Sequence, residues 1–202
     1  MNGNRRIKFY NAYDNAAGYR LVAIQAILDS DLTQLDYTDV NQIIELNNIK
    51  KFIDSGQFLA DWSDSQIDKY KSICKSEIPK YVSIFYKQIT DENVIEIYNR
   101  LIPEYHEDFW EAFDKFKLYN QISSDIFLEI LNANNTQLIH ILCQRKIVKA
   151  YGNIITNYLI NHPKHAELIM KEHLERREEQ KKLYFPDELT PEDKLRIISA
   201  YK

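Results

Sequence analysis

Apolar side chains recur every three or four positions along nearly the whole chain, and little interrupts them. In 14–29 the stripe is Ala17, Leu21, Ile24 and Leu28; in 38–55 it is Val40, Ile43 and Ile44, continued by Phe52 and Ile53. This spacing gives an α-helix one oily face and leaves the other to water. β-Sandwiches and barrels need a turn signal every eight to twelve residues or so. Here 202 residues hold only 4 glycines and 5 prolines. The pattern predicts an all-α fold of about 8–10 helices, either a multi-helix bundle or an irregular α-solenoid of HEAT-like helical pairs. Apolar residues make up 45 % of the chain and aromatics 12 %, enough to fill a core.

The punctuation fits the same reading. Ser55-Gly56 is a helix stop, since glycine accepts the left-handed conformation that closes a helix. Ser63-Asp64-Ser65-Gln66 is a capping box, and its helix continues through Ile67, Tyr70, Cys74, Tyr81 and Phe85. Pro79 inside that pattern predicts a break near 78–79. Thr90-Asp91-Glu92 opens a helix with Val94, Ile97, Tyr98 and Leu101 inward, ended by Pro103. Residues 104–119 follow with Tyr105, Phe109, Ala112, Phe113 and Phe116 on one face. Ser123 or Ser124 caps 125–132, Asn132–Asn135 is a turn, and Thr136 caps the next helix. Residues 146–161 read as one helix, and Pro163 stands at a first-turn position. Residues 57–62 read as a loop. Ile126-Phe127-x-x-Ile130-Leu131 is echoed by Leu138-Ile139-x-x-Leu142-Cys143, as in stacked helical units.

The domain reading takes 1–182 as one helical domain and 183–202 as the start of a further helix. Thr190-Pro191-Glu192-Asp193 launches Leu195, Ile197, Ile198 and Tyr201 just before Lys202. That stretch reads equally as a short docked helix or as the edge of a longer chain. The nearly all-charged 172–182 reads as a solvated helix or a spacer arm.

Charge narrows the partners. The 26 Lys and Arg against 30 Asp and Glu leave a net −4, not the basic excess that a phosphate backbone attracts. A nucleic-acid partner is therefore disfavoured. No apolar run is long enough to span a membrane, and the N-terminal residues lack the oily stretch of a signal peptide. The expected compartment is the cytoplasm, and the abundance of Ile, Asn, Lys and Tyr suggests a bacterial source. Glycines at 3, 18, 56 and 152 build no phosphate-cradling loop, so no nucleotide cofactor is expected. His140-x-x-Cys143 and His162-x-x-His165 have ligand-like spacing. Cys143 falls on an apolar stripe and His162 in the turn before Pro163, so no metal is expected.

The densest charge lies in 91–114. Asp91, Glu92, Glu96, Glu104, Glu107, Asp108, Glu111 and Asp114 face a single cation, Arg100. Trp110 reads as lying to the side of the core stripe, beside the carboxylates. An aromatic anchor with a charged rim is how many protein contacts are built. The predicted partner-binding set is Glu104, Glu107, Asp108, Trp110 and Glu111, facing a basic protein surface. The leading functional expectation is a protein-interaction or adaptor domain, forming the N-terminal part of a larger protein.

A different function class rests on Arg100 and His106. An arginine followed after five residues by a histidine resembles the motif of the HEPN superfamily of helical ribonucleases. The resemblance covers these positions alone. It implies an RNA-cleaving toxin or antiviral effector, usually with two protomers combined. His106 would be general acid or base and Arg100 would steady the phosphate. Leu101 stands where that family favours a polar residue, Pro103 splits the motif, and eight carboxylates surround it. A third expectation is a structural unit that self-associates through 190–202.

Overall fold

A computed structural model describes residues 8–11, 16–133, 138–176, 183–186, 190 and 192. They are mostly helical, and the chain divides into two compact units, Met1–Lys87 and Gln88–Lys202. Both lie largely within the stretch read from sequence as one domain.

In the first unit α1 (Ala16–Asp29), α2 (Val40–Asp54), α3 (Asp64–Ser76) and α4 (Ile78–Lys87) pack with two short strands, β1 (Lys8–Tyr10) and β2 (Gln57–Leu59). Asp39 caps α2 by accepting from the Asn41 N–H at 2.9 Å. Val40, Ile43, Ile44, Leu46, Ile49 and Ile53 then bury the face that meets α3 and α4. Gly56, at φ 78°, follows the end of α2 and turns the chain into β2. The capping box of α3 is complete: Gln66 N–H donates to Ser63 Oγ, and Ser63 N–H donates back to Gln66 Oε1. The break between α3 and α4 falls at Glu77. Pro79 sits in the first turn of α4, where its missing N–H costs little.

The loop expected at 57–62 is half strand. β1 and β2 pair in parallel, Phe9 opposite Phe58. Three residues are too few for an alternating pattern to register, and the partner lies far back in the chain. Phe58 and Leu59 are buried, and so is Trp62, whose indole N–H donates to Gln25 on α1 at 2.8 Å. Tyr70 meets Trp62 edge-on at 4.8 Å and donates through its hydroxyl to Asp29. Lys69 holds the other Asp29 oxygen at 2.7 Å. This bond, with that of Tyr70, holds the Asp29 carboxyl below its ordinary pKa.

The second unit holds α5 (Val94–Asn99), α6 (His106–Lys115), α7 (Ser124–Ala133), α8 (Leu138–Leu142), α9 (Arg145–Ala150), α10 (Gly152–Asn161) and α11 (Pro163–Arg176). Its core is aromatic. Trp110 lies 5.0 Å from Phe113, 5.4 Å from Phe109 and 5.6 Å from Tyr98, ring centre to ring centre. The helix expected over 146–161 is broken at Tyr151. There the ring stacks on Phe127 at 3.8 Å and the hydroxyl donates to the Ile122 carbonyl at 2.7 Å. These tertiary contacts draw Tyr151 out of helical geometry (φ −115°, ψ 24°), and Gly152 starts the next helix. Pro163 opens α11, and Ser123 accepts from Ile126 N–H ahead of α7. Within 183–186 Leu183 is buried and the Tyr184 N–H donates to Leu142 of α8, so this segment belongs to the second unit. Thr136 and, Glu192 apart, the proposed helix after Thr190 lie outside the described residues.

Candidate functional site

Helix α6 concentrates the candidate residues, and its two sides differ sharply. At about 100° per residue, His106, Phe109, Trp110 and Phe113 fall within one arc of roughly 100°. All four are buried. Glu107, Asp108 and Glu111 occupy the opposite side. Glu104 precedes them in the single 3-10 turn Pro103–Tyr105 that leads into α6. Glu104 and Glu111 are exposed, while Glu107 and Asp108 are partly covered.

Three of the remaining four acids of the run have partners within the fold. Asp91 accepts from the Ser123 backbone N–H at 2.7 Å, linking the residues before α5 to the start of α7. Glu96 pairs with Arg100 one turn later on the same exposed face. Asp114 meets Lys146 of α9 at 3.3 Å.

Trp110 corrects the expected docking set. It is 0 % exposed, in the middle of the aromatic core, and cannot anchor a partner. Its position three residues before Phe113 and next to Phe109 places it inside a wide stripe, which a narrower reading missed. Ile102, two positions before Glu104 in the chain, is 42 % exposed.

His106 is corrected in the same way. It is 4 % exposed, edge-on to Tyr98 at 5.2 Å, and its Nδ1 has no hydrogen-bond partner among the described residues. Burial, with His140 of α8 nearby, holds its pKa below the usual imidazole value. Arg100 lies exposed beside Glu96. An accessible arginine–histidine pair, which the ribonuclease resemblance needs, is not formed at these positions in the chain. The sequence signal was present: His106 precedes Phe109 and Trp110 by three and four residues, on the apolar stripe.

Sequence reasoning also missed the contact of His140 with Glu107, whose Nδ1 and Oε2 are 3.9 Å apart. It joins α8 to the acidic side of α6, and residues so distant in sequence leave no local signal. The other ligand-spaced histidines are engaged with Tyr158. His162 Nδ1 faces the Tyr158 carbonyl at 2.9 Å, and His165 Nδ1 faces its hydroxyl at 3.1 Å. His162 lies in the turn, as its place before Pro163 predicts. Among the described residues no three His, Cys, Asp or Glu side chains converge as metal ligands. No helix among them is long and apolar enough to cross a membrane.

Comparison of the chain with family models, with curated proteins and with solved structures returns no match.

Proposed function

We propose that the second unit is a protein-interaction module that presents the outer side of α6 to a basic partner surface. One observation carries this reading. Glu107, Asp108 and Glu111 line one side of the helix, with Glu104 in the turn just before it, while the other side of the helix is wholly committed to the core. A rigid element thus holds a row of like charges at fixed spacing. Such a row steers an oppositely charged partner and fixes its register. Ile102, exposed two positions before Glu104, supplies an apolar contact.

The reading is tested by affinity capture from cell lysate with the wild type and a Glu104→Lys, Asp108→Lys, Glu111→Lys variant. Circular dichroism first confirms that both are folded. The wild type is expected to retain a specific protein at low salt and to release it as salt rises through a few tenths molar, where the Debye length shrinks to a few ångströms. The variant is expected to lose it. Equal retention by both proteins overturns the proposal.

A further inference from the structure

The junction of α10 and α11 gathers three titratable aromatic rings. Tyr158 belongs to α10, His162 to the turn, and His165 to the first turn of α11. The rings lie nearly parallel. Tyr158 and His162 stack with centres 4.2 Å apart at 18°, and His165 lies 5.4 Å from His162 and 6.0 Å from Tyr158. His162 Nδ1–H donates to the Tyr158 carbonyl at 2.9 Å, and His165 Nδ1 meets the Tyr158 hydroxyl at 3.1 Å. Through these two bonds a single residue of α10 holds the start of α11.

The charges around the stack suit one proton better than two. Tyr158 is the only ionisable residue of α10. The first turn of α11 carries Lys164 and no acid, and a helix N-terminus itself bears partial positive charge. Glu167 follows His165 by two positions, about 200° round the helix. Of the helices packed on α10, α7 carries Asp125 and Glu129, and α9 carries Arg145, Lys146 and Lys149. Among the described residues no carboxylate pairs with either imidazole. A charged His162 keeps its bond to the carbonyl and lies over the Tyr158 face, where a cation is attracted. A charged His165 beside it faces a like charge across 5.4 Å, and its Nδ1 can no longer accept from the Tyr158 hydroxyl. Burial, and then His162, hold the His165 pKa below the ordinary imidazole value.

We propose that this stack is an acid-operated latch, which fastens the first turn of α11 to α10 while His165 is neutral and lets it go when both imidazoles are charged. The released His165 binds a proton more readily than the docked one, so acid favours release. Docking is complete above the ordinary imidazole pKa of about 6.5 and weakens as pH falls through that value toward the lower, docked one. Release exposes Ala166 and Ile169, which are buried while the helix is docked.

Hydrogen–deuterium exchange of the full chain at about pH 7.5 and about pH 5, corrected for the intrinsic pH dependence of amide exchange, tests the proposal. Protection of the amides in 165–170 is expected to fall about tenfold or more in acid. A variant carrying His162→Gln and His165→Gln cannot take up these charges and should keep its protection. It retains His106, so acid loosening that comes from that residue persists in it and is told apart. In His162→Gln alone, the His165 ring should titrate at higher pH by nuclear magnetic resonance, since its charged neighbour is gone. Equal acid loss in the wild type and the folded double variant overturns the proposal. So does unchanged protection in the wild type, or a His165 titration that His162→Gln leaves where it was.

Discussion

At the scale of single residues, His106 and Trp110 show how a side chain's neighbours decide its role. His106 is a titratable group held among rings. Its folded pKa is depressed, so the unfolded chain binds the proton more readily. Its share of stability is full above the ordinary imidazole pKa of about 6.5 and falls as pH drops through that value toward the depressed one. Unfolding by urea at about pH 7 and about pH 5 is expected to show this loss. In His106→Phe the same drop in pH should cost less, and an identical drop in both proteins would count against the assignment. Trp110→Ala removes a fully buried indole and is expected to cost about 3–5 kcal/mol in the same assay. A surface anchor would leave stability nearly untouched.

At the scale of elements, the helix ends are held by local chemistry that can be removed one group at a time. Ser63→Ala deletes half of the capping box and is expected to lower stability by about 1 kcal/mol in denaturant titration. Tyr151→Phe keeps the ring stacked on Phe127 but leaves the Ile122 carbonyl without its donor. The expected cost is about 1–3 kcal/mol, the desolvation of an orphaned buried acceptor. If Tyr151→Phe proves neutral, the break between α9 and α10 rests on Gly152 and ring stacking alone.

At the scale of the whole molecule, the chain divides into two compact units, Met1–Lys87 and Gln88–Lys202. The fragment 1–87, expressed alone, is expected to give a helical circular-dichroism spectrum and a cooperative thermal transition. A gradual, non-cooperative melt would show that this unit lacks a core of its own. The all-helical class, the capping box, the break at Pro79, the stop at Gly56 and the start at Pro163 could all be read from neighbours in sequence. Each depends on groups within a turn or two of one another, and local backbone geometry is what residue order encodes directly. The β1–β2 pairing, the kink at Tyr151, the enclosure of His106 and Trp110 and the His140–Glu107 contact were decided only in three dimensions. All bring together residues from separate elements, and helical periodicity says which side of a rod is oily without saying what will cover it.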